Sequence, residues 1–201
     1  VLLNQNYLPK IKDKYKKILP AKTKTLLGPK YAILAPEYRK VRSNINLDKN
    51  KKTYRIIIFF GASDNKNQTI KCLNVFSKYN FENLKINVVT GLSNKKNKII
   101  RKMVKKIKYA NLHIQLPSLC KLMKSADLYL GSGGTTTWER CCLGLPSIVI
   151  STAKNQISYN KNLHNRGIIN YLGTVEKVSS KKIAHALLSF INNSKKKKMS
   201  E

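Results

Sequence analysis

From Tyr54 onward, short apolar runs alternate with longer amphipathic segments, and this alternation limits the folds that the chain can adopt. Strands that are apolar throughout are typical of a parallel sheet that is covered on both faces. The first run, YRIIIFF at 54–60, is of this kind, and the amphipathic segment NQTIKCLNVFSKYN follows it. Strands that alternate with helices in this way predict an α/β fold built on a parallel sheet.

The complete alternation predicts six strands, each followed by a helix. The five later strands are expected at 85–91, 111–115, 127–131, 147–151 and near 168–172. Helices are expected near 95–108, through 116–126, from the fourth strand to a left-handed cap at Gly144, over 156–165 and over 179–193, where Ser179 or Ser180 is the predicted cap. Six such units in this order predict a doubly wound, six-stranded parallel sheet of the Rossmann type, with the strand order 3-2-1-4-5-6.

Two loops of small and polar residues are expected to meet at one edge of this sheet. In the predicted order, the first and fourth strands are neighbours, and the connections after them go to opposite faces and leave a crevice for a ligand. The first strand ends in FFGASDN and the fourth in LGSGGTTTWE. Glycines allow a close approach of the backbone, and the amino end of a helix after Gly134 favours an anion, so we predict a phosphate site.

The position of the glycines argues against a dinucleotide cofactor. A GxGxxG fingerprint would follow the first strand, with an acidic residue about 20 positions later. Here the loop richest in glycine follows the fourth strand, so we do not expect NAD or any other cofactor. The four cysteines include no CxxC pair, which predicts buried thiols in a reducing compartment and no metal site.

Several polar residues near the two loops have both a structural and a binding interpretation. Thr136 and Glu139 have the spacing of a capping box, whereas a carboxylate one turn into a phosphate-binding helix can also accept hydrogen bonds from ribose hydroxyls. Only nine acidic residues occur in the chain, and two of them, Asp64 and Glu139, fall in or just after the loops. The carboxamides of Asn155, Gln156 and Asn160 can bind sugar hydroxyls, although Asn155 can instead cap a helix.

Aromatic and histidine side chains give no catalytic candidate. Trp138 is predicted to be a core or interdomain anchor. His113 and His185 are expected to be packed or surface residues, and His164 is expected to interact with the carboxyl end of a helix. None has a Ser, Cys or Asp nearby in sequence that would make it a catalytic base, so we predict no catalytic residue in this chain.

The formal net charge of +31 raises the possibility of a nucleic-acid partner. Only six of the 40 basic residues are arginines, and the lysines are spread over nearly every predicted surface segment. We therefore expect no specific nucleic-acid partner, and a basic module that binds RNA or an anionic membrane remains an alternative. No apolar run approaches the roughly 18 residues of a membrane span, and the first residues do not resemble a signal peptide, so a cytoplasmic location is expected.

The segment GSGGTTTWERCCLGLPSIVISTAKNQ resembles the UDP-sugar hydrolases of pseudaminic acid biosynthesis. Weaker matches extend the resemblance through ADLYLGSGG, FFGASDN and LLGPKYAILAPEYRKVR to LLNQNY near the start of the chain. The resemblance implies the C-terminal half of a glycosyltransferase B-type fold and a UDP-sugar as the bound partner. A glycosyltransferase that uses a UDP-sugar donor is the alternative, because both kinds of enzyme bind the donor in this half.

The resemblance also assigns site residues. It implies that Gly133, Gly134 and Thr135, with Thr136 beside them, face the diphosphate, that Glu139 binds the ribose, and that Asn155 and Gln156 approach the sugar. Gly61, Ser63 and Asp64 are expected in the first loop of the same crevice. The sequence departs from the family where it has GASDN, NQNY, APEY and AKNQ, which removes an acid near Asn4 and an Arg at Ala35.

The family pattern further implies a division of the chain. Residues 1–50 correspond to a remnant of an N-terminal domain with its linker, 51–193 to the nucleotide-sugar-binding domain, and 194–201 to a disordered basic tail. The family's catalytic histidine belongs to the N-terminal half, which the resemblance places before residue 1. We therefore expect this chain to need such a half, in cis or in trans, for activity.

Overall fold

The first part of the chain contains more regular structure than the sequence predicts. The computed structural model of the protein describes residues 1–43, 53–79, 81 and 83–192. Within the first range, two short strands, β1 (Leu2–Asn4) and β2 (Thr25–Leu27), pair in parallel, with helix α1 (Ile11–Lys16) between them. Helix α2 (Pro36–Arg42) follows. The predicted tail at 194–201 and the predicted boundary at 50/51 lie outside the described residues.

A six-stranded parallel sheet forms the centre of the protein and confirms the predicted fold class. Its strands are β3 (Tyr54–Phe59), β4 (Leu84–Thr90), β5 (Ala110–Ile114), β6 (Leu128–Ser132), β7 (Ser147–Ser151) and β8 (Asn170–Thr174). Their order across the sheet is β5-β4-β3-β6-β7-β8. The two central strands, β3 and β6, are therefore neighbours, as the sequence predicts. The crossover direction changes between them.

Helices cover both faces of this sheet because alternate strand residues point to opposite sides. The helices that connect the strands are α3 (Gln68–Lys78), α4 (Asn97–Lys106), α5 (Cys120–Ser125), α6 (Thr136–Cys142), α7 (Ile157–Asn165) and α8 (Ser180–Asn192). Ile56 and Ile58 of β3 pack in one cluster with α3, α4 and α8. Ile57 points the other way and packs with α2 and α5, whereas α6 and α7 pack on Val149 of β7.

Two predicted helix ends are confirmed by their backbone geometry. Gly144 follows α6 with φ +61°, and the N–H of Leu145 donates to the carbonyl of Arg140 over 2.9 Å, as in a Schellman cap. At the start of α8, the hydroxyl of Ser179 accepts a hydrogen bond from the N–H of Lys182 at 3.2 Å.

Trp138 connects the first range of residues to the sheet. It is buried against Val149 and Tyr159, and Tyr7 and Leu8 pack onto the same cluster. The predicted core role of this tryptophan is therefore confirmed. The four cysteines are free thiols, with Cys72 and Cys120 buried as predicted and the adjacent pair that follows Arg140 only partly buried. Among the described residues, no helix has the length and apolarity that a membrane span requires.

Candidate functional site

Residues 132–135 connect β6 to α6 and are called the glycine loop below. Gly133 is buried, Gly134 is partly buried, and Thr135 is exposed. Helix α6 begins at Thr136, and no side chain caps its amino end. The predicted capping box is therefore wrong, because Thr136 is already the first helical residue, and its hydroxyl lies 3.4 Å from that of Tyr129.

Gly133 has no room for a side chain. A Cβ atom at this position would lie 2.2 to 2.5 Å from the carboxamide of Asn160. Asn160 is completely buried, and its Nδ2 donates to Ser151 Oγ at 3.0 Å. This carboxamide therefore supports the glycine loop from below. At Gly134, by contrast, the nearest atom to an added Cβ would be Gln156 Nε2 at 3.8 Å, so the loop is open on that side.

In the loop after β3, Asp64 accepts hydrogen bonds from the start of the next helix. Asp64 has φ 39° and is 6% exposed. Its Oδ1 accepts from the N–H of Gln68 at 3.0 Å and its Oδ2 from the N–H of Thr69 at 2.7 Å. Burial raises the pKa of Asp64, and these hydrogen bonds act in the opposite direction. The carboxylate thus holds the amino end of α3, while Gly61 (φ +93°) and the partly buried Ser63 form the turn before it.

An open cleft with a volume of about 310 Å³ lies beside the glycine loop. Thr136 and Glu139 of α6 form one wall, and Phe59 and Ala62 at the end of β3 form the floor. The ends of β4 and β5 and the start of α2 complete the lining. The structure therefore brings the ends of β3 and β6 together at one edge, as the predicted strand order requires.

Glu139 faces this cleft next to a residue that the sequence does not suggest. Burial raises the pKa of Glu139, whereas a hydrogen bond from the Tyr38 hydroxyl lowers it. Burial, together with the charge of Glu139, raises the pKa of Tyr38 in turn. Tyr38 belongs to α2 and is 2% exposed. Nothing in the spacing of Tyr38 and Glu139 could have predicted this pair, since it depends on how α2 packs on α6.

A second carboxylate lines the same cleft. Glu37 precedes Tyr38 in α2, and its Oε1 accepts a hydrogen bond from the Ser118 hydroxyl. The negative charge of Glu37 adds to the rise in the pKa of Glu139. Gln115, which lies after β5, has φ 58° and also borders the cleft. Glu37, Ser118 and Gln115 were not predicted from the sequence. There, only the segment around APEY indicated that α2 is relevant.

The carboxamides after β7 lie on the open side of the glycine loop. Gln156 Oε1 accepts from the N–H of Thr152 at 2.9 Å, which directs its Nε2 toward Gly134. Asn155 is exposed in a short 3-10 helix, Lys154–Gln156. Neither this turn nor α7 has a side-chain cap, so the alternative role of Asn155 as a helix cap is not observed.

The histidines take structural positions. His113 Nε2 lies 2.9 Å from Asn87 Oδ1, and burial lowers the pKa of His113. His164, at the end of α7, has its Nδ1 3.2 Å from the carbonyl oxygen of Ile169. His185 is exposed on α8. No histidine of the described part of the chain lines the cleft.

The sheet order defines the class of fold: this is a Rossmann-like α/β domain that matches one half of glycosyltransferase B-type structures. MurG from Acinetobacter baumannii superimposes with a TM-score of 0.67 over 98% of this chain and 59% of its own, at 12% sequence identity. UDP-GlcNAc 2-epimerase from Neisseria meningitidis, bound to UDP-GlcNAc, gives 0.57 over 82% of this chain and 42% of its own, at 18% identity. The spinosyn rhamnosyltransferase SpnG with thymidine diphosphate gives 0.59 over 75% and 40%, at 13% identity.

Sequence comparison identifies more specific relatives. The spore coat polysaccharide biosynthesis protein SpsG of Bacillus subtilis is 25% identical over 166 residues, which are 82% of this chain and 48% of SpsG. The uncharacterized protein MJ1062 of Methanocaldococcus jannaschii is 34% identical over 144 residues, which are 68% of this chain and 29% of that protein. This chain thus spans about half of SpsG and less of MJ1062. The sequence matches no protein-family model.

Proposed function

We propose that this chain binds the nucleoside diphosphate of a sugar nucleotide and provides this site to an enzyme that releases or transfers the sugar. The observation that carries the proposal is that the glycine loop leads directly into Thr136, which lines the cleft together with Glu139. A ligand with a diphosphate next to a ribose matches this arrangement, because it needs an anion site and a hydrogen-bond acceptor for hydroxyls side by side. The cleft volume of about 310 Å³ lies within the range of small-molecule sites.

The glycine loop is the proposed diphosphate site. Gly133, Gly134 and Thr135 let the backbone approach the phosphates, and no side chain occupies the amino end of α6. Because Asn160 packs against Gly133, the loop is held in place before any ligand arrives. Such preorganisation reduces the loss of conformational entropy on binding.

Glu139 is the proposed ribose acceptor. Its carboxylate is half-buried in the cleft wall and is oriented by the Tyr38 hydroxyl. Carboxylates accept strong hydrogen bonds from hydroxyl groups, and two ribose hydroxyls fit the two oxygens. Thr136 borders the cleft between Glu139 and the glycine loop. Ligand atoms that bridge the two regions would therefore pass over this residue.

The sugar is proposed to lie toward Asn155 and Gln156. Gln156 lies next to Gly134, and Asn155 is exposed, so both can reach a group attached to the second phosphate. Their amide groups can donate to and accept from sugar hydroxyls. Among the residues that the sequence assigns to the site, Asp64 is proposed to shape the edge of the cleft by holding the start of α3, and Gly61 and Ser63 by forming the turn.

The similar proteins support a sugar nucleotide as the ligand. SpnG was solved with thymidine diphosphate and the Neisseria epimerase with UDP-GlcNAc, while SpsG belongs to polysaccharide biosynthesis. The sequence resemblance favours a UDP-sugar hydrolase, whereas the structural similarity to a rhamnosyltransferase favours transfer to another acceptor. Both reactions need a base on the side of the sugar away from the diphosphate. We propose that a further domain, in cis or in trans, provides that base.

Isothermal titration with UDP, dTDP and uridine tests the ligand class. We expect both diphosphates to bind and uridine to bind more weakly. Absence of binding at millimolar nucleotide, in a sample whose circular dichroism shows a folded α/β protein, would reject the proposal. Binding to RNA that survives about 0.5 M salt would favour the basic nucleic-acid module instead, since nonspecific attraction weakens steeply with salt.

Product analysis on the two-domain protein separates hydrolysis from transfer. Free sugar formed in the absence of any acceptor supports the hydrolase. Strict dependence of UDP release on an added sugar or lipid acceptor supports the transferase and rejects hydrolysis.

A further inference from the structure

Arg140 is a buried cation directly beneath the glycine loop. It lies on α6 and is 1% exposed. Its guanidinium stacks on Tyr129, with Cζ 4.1 Å from the ring centroid. Nε donates to the carbonyl of Thr136 at 3.2 Å and Nη2 to Thr137 Oγ1 at 2.8 Å. These partners are all neutral, so they satisfy hydrogen bonds without cancelling the charge.

The burial of this charge is unfavourable for the protein without a ligand. Arg140 forms no ion pair with any carboxylate of the described residues, and its Nη1 has no hydrogen-bond partner among them. Removing an arginine from water costs several kcal/mol unless a partner compensates, and the aromatic ring of Tyr129 compensates only in part.

Short contacts connect the guanidinium to the glycine loop. Thr137, which binds Nη2, donates its own N–H to the carbonyl of Gly134 at 3.0 Å. Thr136, whose carbonyl binds Nε, is the residue that follows the loop. The charge also acts in the cleft, because it lowers the pKa of Glu139. An anion in the loop would therefore lie close to Arg140, and because the guanidinium is buried, the attraction would be stronger than between two exposed charges.

We propose that Arg140 is a buried counter-charge that makes the site selective for the diphosphate over the uncharged nucleoside. It is a positioning residue, because it acts through Thr136, Thr137 and the field in the loop and does not reach the ligand itself. This inference rests on the proposed nucleoside diphosphate function. It assigns the electrostatic part of the affinity to a residue inside the core, whereas the many surface lysines are screened by salt.

The test compares Arg140→Met with Arg101→Met, which removes the same charge from an exposed position on α4. Affinities for UDP and uridine are measured by titration, and stability by denaturant unfolding. We expect Arg140→Met to weaken UDP binding by about tenfold or more and to leave uridine binding nearly unchanged. Its unfolding free energy should be equal to or higher than that of the wild type, since a buried charge has been replaced by an apolar group. Arg101→Met should bind both ligands as the wild type does.

The outcomes separate this inference from the function on which it rests. If the wild type binds neither ligand, the proposed function fails. If Arg140→Met binds UDP as tightly as the wild type, or loses UDP and uridine equally, only the counter-charge is rejected. Should Arg140→Met not fold, Arg140→Lys and Arg140→Gln replace it. The inference then requires that the lysine variant keeps the preference for UDP over uridine and that the glutamine variant loses it.

Discussion

The loops after β3 and β6 occupy equivalent places on either side of the sheet centre, yet they treat the amino ends of the helices that follow them differently. After β3, the carboxylate of Asp64 accepts hydrogen bonds from two N–H groups at the start of α3. After β6, no side chain caps α6, and the polar groups that surround the loop lack full compensation. Buried polar atoms without a hydrogen-bond partner among the described residues lie near both loops: Arg140 Nη1 and Asn160 Oδ1 after β6, and Gln68 Oε1 and Thr69 Oγ1 after β3.

This difference leaves the amino end of α6 free of a side-chain cap, whereas that of α3 is held by Asp64. A loop whose own carboxylate already accepts from the N–H groups of the following helix leaves fewer of those groups free for a partner. A loop bordered by a buried cation and by a carboxylate with a raised pKa is kept at the expense of stability. Such an expense is expected where groups serve binding. Substitutions in and near the two loops test this difference between them, and the variant with the largest expected effect comes first.

Gly133→Ala should have the largest effect, because its Cβ would lie within 2.5 Å of the Asn160 carboxamide. We expect a loss of about 1 to 3 kcal/mol in the free energy of unfolding and a severe loss of UDP binding. Gly134→Ala is the matched control, since its Cβ would have 3.8 Å of clearance and stability should hardly change. Equal unfolding free energies for the two variants would show that Asn160 does not hold the loop from below.

Glu139→Gln should reduce UDP affinity by about 1 to 2 kcal/mol, because the amide loses charge-assisted bonds to the ribose. The substitution should also change how the stability of the protein depends on pH. Because burial raises the pKa of Glu139 in the folded protein, wild-type stability is present below the ordinary value of 4.5 and is lost as pH rises through the raised value.

The pH dependence of unfolding checks this sign. The stability of Glu139→Gln relative to the wild type should increase as pH rises from below 4.5 to neutrality. A constant difference across this range would mean that the carboxylate titrates alike in the folded and unfolded chains. UDP binding that is equal for both proteins would remove Glu139 from the ribose site.

Asp64→Ala should cost about 1 kcal/mol of stability, since two N–H groups of α3 lose their acceptor. UDP affinity should stay within about twofold of the wild type, because the carboxylate is directed at the helix. Asp64→Asn, which keeps one acceptor oxygen, should recover part of the stability. A fall in UDP affinity without a loss of stability would instead place Asp64 at the ligand, which is the role that the sequence resemblance assigns to it.

Tyr38→Phe should have the smallest effect, a loss of less than about 1 kcal/mol in UDP affinity. Without the hydroxyl, the pKa of Glu139 should rise further, and its carboxylate should be less well oriented. The control is Tyr15→Phe, which removes a hydroxyl that accepts from Asn4 Nδ2 at 2.8 Å, far from the cleft. UDP titration at two pH values checks the prediction, and identical curves for both variants would contradict it.

Much of the fold follows from the sequence because it depends on local patterns. The run from Tyr54 has apolar residues on both faces of the strand: Ile56 and Ile58 point to one side and Ile57 to the other. Only a sheet that is covered on both faces can bury such a run. Gly144 ends α6 because glycine takes the left-handed conformation without strain. The neighbouring position of β3 and β6 follows from the order of strands and helices, and it brings the two loops to one edge.

The use of each polar residue in the site was decided only by tertiary structure. The spacing of Thr136 and Glu139 permits a capping box, but α6 starts one residue too early to form it. The packing of α2 instead places Tyr38 next to Glu139. Asn160 has the chemistry to bind a sugar, but the path of α7 buries it under Gly133. A side chain's chemistry is local, whereas its partners and its exposure depend on elements that are distant in the chain. The sequence therefore determined that the two loops meet at one edge of the sheet, and packing determined which polar groups are exposed there.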